Sequence, residues 1–263
     1  MTLPLELSTG EFQLVYNMLS LAIAAMLASF VYFAMVQQQL TAKYRPAMIL
    51  SSLVVGIAGY HYWRIFNSWD GAYALNDAGR YVATGAPFND AYRYVDWLLT
   101  VPLLVAELVA VLALPSARRG SLMARLVVAS ALMIGLGYPG EVSSDATTRV
   151  IWAVLSTIPF TYILFVLYTE LGQAANVKDP QVKVLLRNTQ LLLLATWGFY
   201  PIAYAMPLLG VGGAAATVAL QVGYSIADIA AKCGYGVMIY QIARAKMAAE
   251  GVHEVEVPRL AVQ

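Results

Sequence analysis

The chain has 263 residues, 60% of them hydrophobic and only 12% charged, with a mean hydropathy of +0.66 and a formal net charge of +1. An ordinary soluble domain carries roughly a quarter charged residues, so this composition points to a protein dissolved in lipid, and the net charge gives no reason to expect nucleic acid as a partner. One cysteine (Cys233) and two histidines (His61 and His253) exclude an intramolecular disulfide framework and a cysteine- or histidine-rich metal site.

The N-terminal segment MTLPLELSTGEF lacks a basic region ahead of an apolar stretch, so the first hydrophobic run is expected to be a retained span. Apolar runs follow at about 12–37, 46–69, 89–114, 121–140, 148–170, 184–208 and 213–243. Each is far longer than the roughly 10 residues of a membrane strand, and none alternates, so the expected fold is an all-α bundle of seven transmembrane helices. Residues 1–246 form this one domain and 247–263 a short polar tail. The first, third and fifth connections and the tail hold Lys43, Arg45, Arg118, Arg119, Arg125, Lys178, Lys183, Arg187, Arg244, Lys246 and Arg259. The opposite side holds only Arg80 and Arg149, which puts the N-terminus outside and the C-terminus in the cytoplasm.

Six ionisable residues remain within or beside the spans: Arg64, Arg93, Asp96, Glu107, Asp228 and Lys232. Charge inside a membrane is costly, so each is a candidate for function; Arg64, near the outer end of the second run, reads equally well as a snorkelling side chain. On the third run Asp96, Thr100 and Glu107 are spaced by four and then seven, near one helix face. At 1.5 Å per residue the two carboxyls are roughly 16 Å apart, suited to separate proton stations and not to a shared metal. Arg93 lies one turn outside Asp96. On the seventh run Asp228 and Lys232 are at i and i+4, again one face. A neutral lysine amine condenses with an aldehyde to a Schiff base, whose protonated form needs a counter-ion. A plain Asp–Lys pair lining a transporter cavity is the alternative.

The words RYVDWLLTVPLLVAEL (Arg93 to Leu108), WGFYPIAY (Trp197 to Tyr204) and YSIADIAAK (Tyr224 to Lys232) resemble the signatures of microbial (type 1) rhodopsins on helices three, six and seven. GYHYWRIFNSW and GYPGE resemble the proteorhodopsin and xanthorhodopsin branch of that family. The resemblance covers nearly the whole chain and implies a hairpin-like connection between the second and third helices. It implies all-trans retinal bound as a Schiff base on Lys232, Asp96 as primary counter-ion and proton acceptor, and Asp228 as second counter-ion. Thr100 takes the middle place of the acceptor–Thr–donor triplet, Glu107 that of the cytoplasmic donor, and Arg93 that of the gate. His61 corresponds to the histidine that bonds the acceptor carboxylate; its plain structural reading is a satisfied interhelical hydrogen bond. Trp97, Trp197, Tyr200 and Pro201 would sandwich the retinal, with Met133, Gly137 and Tyr204 near its polyene or ring. Leu104 stands where leucine accompanies green absorption.

Two departures from the family stand out. Pro207 to Gln221 contains no acidic residue, so the paired glutamates of early proton release in bacteriorhodopsin are missing. Xanthorhodopsin-like antenna proteins carry glycine after the tryptophan of helix five; here Trp152 is followed by Ala153, whose methyl argues against a carotenoid antenna. The implied activity is light-driven outward proton pumping by a multi-pass plasma-membrane protein, in a trimer or pentamer, with protons and the lipid bilayer as partners. The alternatives are a photosensor with the same chromophore and little net transport, and a retinal-free seven-span transporter or receptor.

Overall fold

The structure is a computed structural model that describes residues 4–89, 91–175 and 179–252. Lys178, His253, Arg259 and the tail from 253 onward lie outside the described residues. The elements are β1 (Glu6–Ser8), α1 (Thr9–Val36), α2 (Arg45–Ala72), β2 (Tyr73–Leu75), β3 (Arg80–Ala83), α3 (Tyr92–Leu112), α4 (Ser116–Val142) and α5 (Ala146–Ala174). They are followed by α6 (Pro180–Trp197), α7 (Phe199–Ala205), α8 (Gly213–Asp228) and α9 (Tyr235–Ala249). A π-helical turn, Ile229–Gly234, joins α8 to α9, making one continuous seventh helix. Helices α6 and α7 make the sixth. They part at Gly198 because Pro201 has no N–H to give the Trp197 carbonyl and its ring crowds that carbonyl.

Seven helices therefore pack as the apolar runs foretell, each within a few residues of the expected bounds. The seventh runs to Ala249, taking in the first three residues of the expected tail. Six of the seven are long and apolar enough to cross a membrane. The second, α2, is as long as the first but carries His61, Arg64, Asn67 and Asp70, which lower its hydropathy. It nonetheless packs extensively on α1 and α3, inside the bundle. Polarity is inverted relative to a soluble protein. Leu21, Phe30, Ile158, Phe165 and Ile202 face outward, while Ser51, His61, Arg93, Asp96, Glu107, Asp228 and Lys232 are buried. Lipid is the solvent that tolerates such a surface. Several cations assigned to connections sit instead in terminal turns, among them Arg45 in α2, Arg118 in α4 and Lys246 in α9.

The expected hairpin is present as β2 and β3, closed by a turn in which Asn76 Oδ1 accepts from the N–H groups of Ala78 and Arg80. Gly79 supplies the positive φ of that turn, +72°. The sequence reading lacked the third strand: β1 pairs antiparallel with β3, giving the order β1-β3-β2, with Glu6 opposite Val82. An Arg80–Glu6 ion pair at 2.7 Å and the stacked rings of Phe12 and Tyr81 tie this cap to α1. Helix α1 starts in a capping box, with Ser8 Oγ accepting from Glu11 N–H and Glu11 accepting from Ser8 N–H.

Candidate functional site: a buried lysine between unequal carboxylates

Lys232 lies in the π-helical turn, 2% exposed. Such turns insert a residue into a helix and recur at functional sites. Its Nζ is 2.8 Å from Asp228 Oδ1, one turn back on the same helix, and 3.0 Å from Asp96 Oδ2 on α3. The two carboxylates are held differently. Asp228 accepts from Tyr62 Oη (2.7 Å, to Oδ2) and Tyr200 Oη (2.5 Å, to Oδ1). Beyond the ion pair with Lys232, neither oxygen of Asp96 accepts a hydrogen bond among the described residues. Asp228 is thus clasped as an anion, whereas Asp96 has unfilled acceptor sites beside the amine.

Arg93 is buried one turn outside Asp96. It donates from Nη1 to Tyr62 Oη (3.0 Å) and from Nη2 to Gln221 Oε1 (2.5 Å), between the rings of Tyr62 and Tyr224. The Thr100 hydroxyl donates to the Asp96 backbone carbonyl at 2.8 Å, a local back-bond within α3. Glu107 is fully buried toward the other end of α3, with Ser51 Oγ of α2 2.7 Å from its Oε2. Among the described residues no hydrogen bond joins His61 to Asp96; His61 Nδ1 is buried without a partner. The expected bond is therefore not formed in this structure. Arg64 donates to Tyr60 and Tyr92 at the bundle margin, as a snorkelling side chain does.

From Lys232 a cavity of about 220 Å³ extends between α3 and the sixth helix toward α4 and α5. All eight residues expected around a chromophore line it: Trp97 and Leu104 of α3, Met133 and Gly137 of α4, and Trp197, Tyr200, Pro201 and Tyr204 of the sixth helix. A Cβ on Gly137 would make ordinary van der Waals contact with Ser156 Oγ and the Tyr94 ring at 3.4 Å. A long apolar slot with one amine at its end suits a polyene aldehyde such as retinal. The Ala153 methyl stands in the wall of this cavity, and Thr157 borders both the cavity and a shallow groove on the lipid-facing surface.

Tyr62, Ser51 and Gln221, which bond to the candidate site residues, and Arg149, which bonds to Tyr204 of the cavity wall, were not singled out by sequence reading. The first three are unremarkable polar residues inside spans, found only through partners on other helices. Arg149 reads as a loop cation, yet its side chain is 7% exposed in the first turn of α5. It pairs with Glu141 at 3.3 Å and donates to the carbonyls of Glu141 (2.9 Å), Ser143 and Tyr204.

Comparison with known proteins agrees with this architecture. The sequence model of the family described as bacteriorhodopsin-like protein matches residues 13–246. The green-light absorbing proteorhodopsin of gamma-proteobacterium EBAC31A08 is 32% identical over 225 residues, 85% of this chain and 84% of that protein. Among solved structures, a thermophilic rhodopsin is 56% identical with a TM-score of 0.90, covering 95% of this chain and 100% of that one. Xanthorhodopsin, described as a light-driven ion pump with dual chromophore, is likewise 56% identical with a TM-score of 0.90, covering 95% and 99%. With the lysine, its two carboxylates and the apolar slot in place, the chain belongs to the bacteriorhodopsin-like family of microbial rhodopsins, in the proteorhodopsin and xanthorhodopsin branch.

Proposed function

We propose that this protein is a light-driven outward proton pump of the plasma membrane, a transporter and not an enzyme, with retinal attached to Lys232. Retinal is the chromophore of the family; held at Lys232 it would supply a protonatable nitrogen at Nζ and a light-driven change of shape. The observation that carries the reading is the unequal treatment of two carboxylates beside one amine. Asp228, holding two phenol donors, keeps its charge and anchors Nζ. Asp96, 3.0 Å away and poor in donors, takes the proton from Nζ. Arg93 answers the loss of charge on Asp96 and passes the outward signal through Gln221 and Tyr62. Glu107, fully buried on the same face of α3 but toward the cytoplasm, returns a proton to Nζ. His61 is assigned to share the Asp96 proton, its Nδ1 being open for such a bond. The Ala153 methyl in the cavity wall supports a single chromophore without a carotenoid antenna. A trimer or pentamer is proposed on family resemblance alone.

The test is illumination of cells expressing the protein and supplied with retinal. The medium should acidify, and a protonophore should abolish the signal. Lys232→Ala should insert in the membrane and lack both the visible band and the response. Sustained alkalinisation of the medium, or no response from a coloured parent protein, refutes outward pumping.

A further inference from the structure

Glu107 accounts for its protons in an unusual way. Ser51 Oγ lies 3.2 Å from the Ala47 carbonyl and 2.7 Å from Glu107 Oε2. A hydroxyl has one proton to donate, so both contacts are made at once when Glu107 carries a proton on Oε2 and Ser51 turns its own to Ala47. The other oxygen, Oε1, is buried with no hydrogen-bond partner among the described residues. A neutral acid bears that vacancy at modest cost. A carboxylate does not, because an unsatisfied buried charge loses its solvation outright. Whenever Glu107 gives up its proton it therefore needs a second donor.

One buried hydroxyl stands ready. Tyr235 opens α9, three residues after Lys232, and is 1% exposed. Its Oη donates to the Leu104 carbonyl at 3.4 Å, beyond the usual range for O–H···O contacts. Leu104 precedes Glu107 by three residues, so the carbonyl and the carboxyl lie on one side of α3. Leu104 lies in the interior of α3, where its carbonyl serves the helix ladder, so releasing Tyr235 orphans nothing.

We propose that Tyr235 is a switchable second donor to Glu107: its hydroxyl rests on the Leu104 carbonyl while Glu107 is protonated and turns to Glu107 Oε1 when the proton leaves. It is a positioning residue that stabilises the carboxylate during proton return to Nζ, with no net transfer of its own proton. The proposal rests on the reading of Glu107 as the cytoplasmic donor.

Tyr235→Phe removes the one oxygen concerned. Flash-induced infrared and visible spectra of the retinal-bound parent, Tyr235→Phe, Glu107→Gln and the double variant test it. The Glu107 carboxyl band in the dark should be unchanged by Tyr235→Phe. Its loss after the flash should slow by about tenfold, as expected for a hydrogen bond to a charged group. In the Glu107→Gln background Tyr235→Phe should add no further delay to recovery of the visible band. Slowing of less than about threefold, a shifted dark band, or an equal delay in the Glu107→Gln background overturns the proposal. A parent that acidifies the medium while its Glu107 band never changes overturns the donor reading as well. A parent that fails to acidify the medium refutes pumping itself. If the phenylalanine variant forms no pigment, fluorotyrosine at position 235 replaces it, and the rate must then vary with phenol acidity.

Discussion

Arg149 gives the sharpest quantitative prediction, because its partners sort into one carboxylate and three carbonyls. Glu141→Gln removes the charge partner but leaves the guanidinium donating to the carbonyls of Glu141, Ser143 and Tyr204. The Glu141 side chain is 22% exposed, so water already screens part of the pair. The expected cost is that of one charge-assisted hydrogen bond, about 1–2 kcal/mol. Arg149→Met keeps the apolar stem but strips all four acceptors of their donor and leaves Glu141 without its cation. Two of those acceptors, the Glu141 and Ser143 carbonyls, lie at the C-terminal end of α4, where helix carbonyls lack intrahelical partners. With Glu141 partly solvated, the expected cost is that of several charge-assisted hydrogen bonds lost together, about 2–4 kcal/mol. Because Tyr204 lines the chromophore cavity and its carbonyl accepts from Arg149 Nη2, the loss should loosen the far end of the slot. Unfolding by detergent titration, followed by the visible band, should give midpoints in the order parent, Glu141→Gln, Arg149→Met, the last well separated. Equal costs for the two variants, or a larger one for Glu141→Gln, would refute the claim that the carbonyl contacts carry most of the effect.

Three further outcomes follow from the site and its surroundings. Asp96→Asn should red-shift the pigment and stop pumping, whereas Glu107→Gln should leave its colour nearly unchanged and slow visible-band recovery; equal colour shifts would reverse the assigned roles. His61→Ala should move the midpoint of the red shift seen on acidification, and superimposable titrations would leave His61 a packing residue. At the cytoplasmic end, burial favours the neutral acid of Glu250, but hydrogen bonds from Lys43 and Tyr44 outweigh it and hold the carboxyl below its ordinary value of 4.5. A lowered folded value stabilises above the unfolded one and is lost as pH falls through the folded value. Lys43 and Glu250 are about half exposed, so Glu250→Gln should cost well under about 1 kcal/mol near neutrality and nothing in strong acid; a difference from the parent that persists in acid would contradict it.

Helix periodicity made much of this protein readable in one dimension. Asp228 and Lys232 share a face at any i, i+4 spacing, and the order Arg93, Asp96, Thr100, Glu107 along α3 survives however the helix is turned. The lipid solvent strengthens such inference, since a charge in an apolar run has few reasons to be there. Other features depend on residues far apart in the chain being pressed together. Tyr62 and Tyr200 reach Asp228 from 166 and 28 residues away, and Gln221 reaches Arg93 across 128. These contacts decide which carboxylate is clasped and which is open, a distinction the two aspartates do not carry in themselves. Arg149 looked like a loop cation because the connection before it is polar, but that connection is short enough to fold the first turn of α5 against the end of α4. The pairing of β1 with β3 was hidden likewise, since a three-residue strand has no periodicity to read until its partner is in place. Helical faces follow from local geometry, whereas the choice among partners follows from packing, which depends on all seven helices at once.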